Sequence, residues 1–163
     1  MNIILDISNF QIGYIFFLNP KDNIIMDGIF SKIIYSNQYF TLNGIYLHFP
    51  IEPQSIDKMM NKTILKFYPS SPINLPLMQE LSRLEYRIIE YYKQINQNKS
   101  SKKAMCLLTK QLYSGTLKLY KENHFANTIK DKKGQYVVKI SGIWETSEEI
   151  GITFKLVEMF QNV

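Results

Sequence analysis

The chain has 163 residues, of which 45% are hydrophobic and 13% aromatic, and its formal net charge is +5. This length predicts one domain, residues 1–163, that buries a core without disulfides, and the single cysteine, Cys106, excludes an intramolecular disulfide. Because the N-terminus lacks a basic leader and the longest apolar run, residues 12–18, is too short to cross a bilayer, we expect a soluble, intracellular protein with no membrane association.

The first half of the chain is typical of short strands separated by polar turns. Residues 2–7 and 12–18 are apolar, and residues 29–35 and 41–49 are rich in β-branched and aromatic side chains. Gly44 indicates a bulge that bends the last of these strands. Residues 50–61 are interpreted as a polar loop or one short helical turn, and residues 63–68 as a further strand that ends before Pro69.

One long helix is predicted over residues 74–96, with Asn74 as its N-cap. Its apolar side chains recur at steps of three and four residues, which is the spacing of one helical face: Leu77, Leu81, Leu84, Ile88, Tyr92 and Ile95.

The remainder of the chain is predicted to be strands joined by basic loops. Residues 104–113 and 116–121 are interpreted as strands, and residues 97–103 and 122–134 as lysine-rich loops. Residues 136–157 predict a hairpin, in which strict alternation places Tyr136, Val138 and Trp144 on one face, and Gly151 follows an acidic turn. The order of elements favours a mainly β, α+β fold: an OB-fold-like antiparallel β-barrel with N-terminal extension strands and long basic loops. An open α+β sandwich with the helix on one face is the alternative.

Motifs of enzymes are absent from the sequence. It contains no glycine-rich phosphate loop, no GxSxG, no HExxH and no cysteine pair, and its two histidines are His48 and His124. The acidic turn residues Glu145, Glu148 and Glu149 could hold a metal for nuclease chemistry, but we favour a solvated turn that is kept soluble by its charge. We therefore predict no catalytic residue, no metal and no cofactor.

Lysines and aromatic rings are the chemistry that the sequence does offer. Positive charge is concentrated after residue 60, and eleven lysines lie between Lys93 and Lys139 inclusive against two acidic residues, Glu122 and Asp131. A solvated, solubilising surface explains such a run, and so does a polyanionic partner. Several aromatic residues lie within a few positions of a lysine. Proteins that hold single-stranded nucleic acid combine cations for phosphates with rings for bases.

The segment KISGIWETSEEIGITFK, residues 139–155, resembles the C-terminal strands of OB-fold single-stranded-DNA-binding proteins of large eukaryotic DNA viruses and related phages. The shared features are a lysine, a Ser-Gly pair, a Trp and a Gly-hydrophobic-Thr-aromatic-Lys run. FTLNGIYLHFP, residues 40–50, is similar to early strands of the same group. The resemblance implies a role in viral-type DNA replication, with replication proteins as partners. Phage members end in an acidic tail, which VEMFQNV does not supply.

The leading hypothesis is therefore a non-enzymatic protein that binds single-stranded DNA, or RNA, with little sequence specificity during DNA replication, recombination or repair. Its predicted site consists of phosphate-binding lysines and base-stacking rings: Lys66, Lys110, Lys118, Lys121, Lys139 and Lys155, with Tyr35, Tyr68, Tyr113, Tyr120 and Trp144. The alternative is a viral protein–protein interaction module or transcription-associated scaffold, in which the rings form an interface. A small nuclease that uses the acidic turn is a third possibility.

Overall fold

The computed structural model describes residues 3–97, 101–121 and 134–159. Two short 3-10 helices, Ile7–Asn9 and Ile12–Tyr14, precede the sheet. The strands are β1 (Ile15–Phe17), β2 (Lys21–Asp22), β3 (Ile29–Ser36), β4 (Thr41–Leu42), β5 (Ile45–His48), β6 (Pro53–Met59), β7 (Lys62–Phe67), β8 (Lys103–Met105), β9 (Thr116–Lys121), β10 (Gln135–Glu145) and β11 (Glu149–Met159). The helices are α1 (Asn74–Ile95) and α2 (Leu107–Ser114). The predicted basic loop at residues 122–134 lies almost wholly outside the described residues, as do His124 and residues 98–100.

All the strands belong to one mixed sheet, whose main path runs β1-β3-β10-β11-β9-β7-β6. β2 and β4 pair with β3, β5 pairs with β10, and β8 pairs with β11. In the described ranges β1 and β6 remain the two ends of this path, so the sheet is not closed. β8 and β9 both run parallel to β11, which a purely antiparallel barrel would not contain. The α+β class is confirmed, whereas the predicted OB-fold-like barrel is not.

The early strand predictions are partly right. Residues 29–35, 41–49 and 63–68 coincide with β3, with β4 and β5, and with β7. Residues 2–7 were predicted as a strand but contribute one isolated bridge, Leu5 to Leu47, before the first 3-10 helix begins. Residues 50–61 were predicted as a loop but contain β6, which has no apolar alternation because both of its faces are largely exposed at the edge of the sheet.

Helix α1 packs its predicted apolar stripe against the sheet. Leu81, Leu84, Ile88 and Tyr92 are buried. Two members of the predicted stripe are not: Leu77 is half-buried, and Ile95 in the last turn is 53% exposed. Asn74 is the first residue of the helix rather than its N-cap. Its side-chain amide donates to the Tyr68 and Glu52 carbonyl oxygens at 3.0 and 3.1 Å and accepts from the Glu52 N–H at 2.9 Å, which fastens the helix start to the preceding loops. No helix in the described part of the chain is both long and apolar enough to span a membrane.

The prediction of a strand over residues 104–113 is right only for its first two residues, which belong to β8, and wrong for residues 107–113, which lie in helix α2. The buried Leu108 and Leu112 are four residues apart, as one face of a helix requires. Its first turn is capped from α1, because the fully buried Glu85 carboxylate accepts from the Leu108 and Thr109 N–H groups at 2.9 and 2.7 Å and from the Thr109 hydroxyl at 2.6 Å. A carboxylate at a helix N-terminus satisfies free N–H groups and complements the helix dipole.

The predicted hairpin is present as β10 and β11, but it carries a bulge. The register shifts between Ile140 and Gly142, so Ser141 is the additional residue. Before the bulge Val138 and Ile140 face the main core, and after it Ile143 does. Trp144 therefore faces away from the core, opposite to the face that strict alternation predicted, and Glu145 faces inward.

Candidate nucleic-acid interface

The sheet presents a lysine-rich surface on the side away from the main core. We call it the basic face and define it by Lys66 on β7, Lys118 and Tyr120 on β9, Tyr46 on β5, Lys139 and Trp144 on β10, and Lys155 on β11. These residues alternate along their strands with core residues such as Leu65, Leu119, Val138 and Leu156. Tyr46, Val137, Trp144 and Val157 are buried but lie outside the main core cluster, which places a second apolar layer beneath this face.

Lysines and tyrosines form a row across four adjacent strands. Lys139 on β10 and Lys155 on β11 are directly paired across the hairpin. Each leans outward onto the neighbouring strand: the Lys139 Nζ lies 5.2 Å from the centroid of the Tyr46 ring, and the Lys155 Nζ lies 5.0 Å from that of Tyr120. The Lys118 Nζ lies 4.6 Å from the same Tyr120 ring. Like charges placed directly opposite each other destabilise a sheet. The cation–π contacts offset this repulsion between Lys139 and Lys155.

A cleft lies beside this row, along β11 between the part that pairs with β8 and the part that pairs with β9. β8 pairs with β11 at Glu149, Ile150 and Gly151, and β9 pairs with it at Leu156, Val157 and Glu158. Between them, among the described residues, no strand pairs with residues 152–155 on this side. The resulting cleft, which we call the seam cleft, has a volume of about 420 Å³. Its lining comes from β9, β10, β11, helix α2 and the β2–β3 loop: Asn23, Ile25, Met26, Gln111, Leu117, Lys118, Tyr120, Trp144, Ile152, Thr153, Phe154, Lys155 and Leu156.

Trp144 forms one wall of the seam cleft rather than an exposed stacking platform. Its side chain is 9% exposed, and its Nε1–H donates to the Ile152 carbonyl oxygen at 3.2 Å. The ring lies against Gly151, the residue paired with it across the hairpin. A Cβ on Gly151 would lie 2.4 Å from the Trp144 Cζ2, so glycine is what allows the ring to lie flat over the strand.

Of the predicted site residues, the structure brings five together on the basic face: Lys118, Tyr120, Lys139, Trp144 and Lys155. Lys66 shares this face one strand further out, where its Nζ is 2.6 Å from the Asp57 carboxylate. Tyr68 follows β7, is 60% exposed, and its hydroxyl accepts from the Gln54 side-chain amide at 2.7 Å.

Four predicted site residues lie elsewhere. Tyr35 is a core residue, 1% exposed, packed between Phe10 and Phe40, with its hydroxyl accepting from the Gln11 N–H at 3.0 Å; it cannot stack on a base. Lys110 and Tyr113 are exposed on α2, which the sequence did not predict. Lys121 is exposed at the end of β9, but alternation turns it away from Lys118 and Tyr120.

Tyr46 is the contributor that the sequence reasoning missed. It was assigned to a strand but not to the site, although its position opposite Lys139 brings an aromatic ring to a lysine. The signal was the pairing of β5 with β10, which links residues far apart in the chain and cannot be read from local pattern.

The acidic turn does not form a cluster of three carboxylates. Glu145 is buried, and its carboxylate accepts from the Lys102 Nζ at 2.6 Å and from the Tyr92 hydroxyl at 3.1 Å. Glu148 is exposed and Glu149 half-buried. Across residues 3–97, 101–121 and 134–159, no group of three His, Cys, Asp or Glu side chains is placed to hold a metal ion.

No protein-family model matches this chain, and no curated protein or solved structure matches it either.

Proposed function

We propose that the chain binds single-stranded nucleic acid across its basic face, with little sequence specificity and without catalysis. The observation that carries this proposal is the facing pair of Lys139 and Lys155, each with a tyrosine ring under its ammonium group. A like-charged pair in the middle of a sheet weakens the fold, and a bound phosphate backbone would relieve that repulsion. Of the two rings, Tyr120 is 36% exposed and can offer a surface to an unpaired base, whereas Tyr46 is 5% exposed and serves to hold Lys139.

Among the described residues, Asp22 and Asp27 flank the β2–β3 loop beside the seam cleft, and two further acidic side chains lie at the margins of the basic face. Asp57 is ion-paired with Lys66, and Asp6 lies 3.6 Å from His48 at the other end of the sheet. The central lysines, Lys118, Lys139 and Lys155, are left to face a polyanion. Steering of a nucleic acid toward this region follows from its charge.

The resemblance of residues 139–155 to viral and phage single-stranded-DNA-binding proteins supports DNA replication, recombination or repair as the setting, with replication proteins as partners. Binding across an open sheet does not require a closed barrel. The proposal therefore does not depend on an OB-fold-like architecture, which remains part of the resemblance alone.

Titration of the single tryptophan tests this proposal directly, because Trp144 lies in the site. Oligo-dT and oligo-U should quench its emission, whereas a duplex of equal length should not. If three lysines bind phosphates, the slope of log K against log salt should be about −2, since each contact on a single strand contributes about −0.7.

Lys118→Ala should reduce the magnitude of that slope by about 0.7. Lys121→Ala is the matched control, because it removes the same charge from the same strand but on the other face, and it should leave the slope unchanged. An absence of quenching by oligo-dT at low salt would overturn the proposal.

A protein-interaction function is the second candidate, and the β2–β3 loop favours it. Ile24 and Ile25 are 98% and 91% exposed, between Asp22 and Asp27. Adjacent exposed isoleucines are typical of a contact for another protein. This candidate predicts no response of Trp144 to oligo-dT, together with loss of partner capture from cell extract when both isoleucines are changed to serine.

A further inference from the structure

The seam cleft has the dimensions of a small-molecule site. Its volume of about 420 Å³ falls within the range of about 300–1,000 Å³ that is typical of ligand pockets. It opens beside the lysine–tyrosine row, so a nucleic-acid strand that crosses the row passes the opening of the cleft. The cleft exists because β8 and β9 pair with β11 at separate positions. The chain between β8 and β9 forms helix α2, so it adds no strand in the gap.

The lining combines flat apolar surfaces with a few polar groups. Tyr120 and Trp144 supply aromatic walls, and Ile25, although 91% exposed, contributes to the lining from the β2–β3 loop. Asn23 and Gln111 also belong to the lining, and a side-chain amide can both donate and accept hydrogen bonds. The Asn23 Oδ1 already accepts from the Ile25 N–H at 3.1 Å. This combination matches a nucleobase, whose faces are apolar and whose edge carries donors and acceptors.

We propose that the seam cleft takes one unstacked nucleobase, while Lys118 and Lys155 at the cleft hold the adjoining phosphate. The inference rests on the proposed function and deepens it, because it assigns a pocket for a single base where the basic face alone would only support stacking. A paired base has its edge occupied by its partner, so the cleft accepts bases from single strands. The two lysines favour a nucleotide over the apolar side chain of a protein as the occupant.

Mononucleotides provide the direct test. Thymidine and deoxyadenosine monophosphates should quench Trp144 with a dissociation constant of about 1 mM or tighter. Inorganic phosphate and deoxyribose 5-phosphate, which carry the charge without the base, should not quench it at the same concentrations. Quenching by all four ligands alike would show a phosphate site only and would overturn the base pocket.

Two neighbouring isoleucines give a matched pair of variants. Both are highly exposed, so neither substitution threatens the fold, but Ile25 lines the seam cleft and Ile24 does not. Ile25→Ala should weaken mononucleotide binding about threefold or more, and Ile24→Ala should leave it unchanged. Thr153→Tyr, which fills the cleft from β11, should weaken it at least about tenfold, the size of one lost stacking contact. Thr41→Tyr on the exposed β4 is its control.

The outcomes separate this inference from the proposed function. If oligo-dT binds but mononucleotides do not, and the Ile25 and Thr153 variants bind oligo-dT as well as their controls do, the base pocket is wrong and the basic face stands. If oligo-dT does not bind at all, both fail. If an apolar peptide occupies the cleft in competition with mononucleotides and more tightly than they do, the base pocket is also overturned.

Discussion

Reversal of the charge on Lys155 separates the stability of the sheet from its proposed function. In Lys155→Glu a carboxylate would face Lys139 across the hairpin in place of an ammonium group. The two ammonium groups lie over different rings, those of Tyr46 and Tyr120. For two unit charges about 8 Å apart in water the repulsion is about 0.5 kcal/mol. Replacing this repulsion by an attraction of the same size therefore stabilises the fold by about 1 kcal/mol at low salt.

The same substitution removes the contact between Lys155 and the Tyr120 ring, which at an exposed site is worth about 0.5–1 kcal/mol. The two effects nearly cancel, so we expect the free energy of unfolding to change by less than about 0.5 kcal/mol. Affinity for oligo-dT should fall at least about tenfold, since a phosphate contact is lost and a repulsive charge is added.

Urea unfolding at low and high salt measures the first quantity, and Trp144 titration with oligo-dT measures the second. Lys155→Gln is the control that removes the charge without reversing it, and it should give an intermediate affinity. A loss of stability greater than about 1 kcal/mol would show that Lys155 supports the fold and would refute the electrostatic reasoning. Unchanged affinity would refute its role in binding.

Two further predictions concern the packing that supports the site. Burial raises the pKa of Glu85 above 4.5, so its ionised form is disfavoured in the folded state and the stability present below pH 4.5 is lost as pH rises through the raised value. Glu85→Gln should flatten that dependence in urea melts performed between about pH 4 and about pH 8, and a slope equal to that of the parent would contradict this. Gly151→Ala should displace the Trp144 ring, lower stability by about 1–3 kcal/mol and shift its emission to the red, whereas Gly13→Ala, whose Cβ would meet nothing within 4 Å, should do neither.

Local sequence pattern was sufficient where an element has one buried and one exposed face. The α1 stripe has this property, and the helix was predicted with nearly its observed bounds. The two runs of the hairpin were also predicted with nearly their observed bounds, although β10 is buried on both faces at Val137 and Val138 and again from Gly142 to Glu145. β6 has no buried face, so no periodicity marks it. Polar residues in a strand at the edge of a sheet resemble those of a loop.

Helix α2 was missed because its decisive contact is distant in sequence. Residues 104–113 contain Leu, Thr and Tyr in an order that suits a strand as well as a helix. Glu85 settles the choice by capping the first turn from α1, and Gly115 ends the helix with φ of 74°. The Ser114-Gly115 pair was a usable signal, since glycine in the left-handed region is a common helix end.

The sequence predicted the chemistry of the candidate site, but it did not predict which residues form it. A lysine beside an aromatic residue in sequence indicated the right chemistry, and Lys118, Tyr120, Lys139 and Lys155 do share a surface. Tyr35 met the same criterion and lies in the core. Neighbours along a strand point to opposite faces, so a ring one residue from a lysine is on the other side of the sheet. The contacting ring is either two residues away, as Tyr120 is from Lys118, or on the next strand, as Tyr46 is from Lys139.

The bulge at Ser141 links the basic face to the core. One additional residue reverses the alternation of β10, which sends Trp144 to the seam cleft and brings Glu145 inside. A buried carboxylate is costly unless it is paired and hydrogen-bonded, and here Lys102 and Tyr92 supply both. Because one shift in register produces both placements, the aromatic wall of the proposed base pocket and the buried ion pair cannot be separated: a chain without the bulge would lose the pocket and expose the carboxylate together.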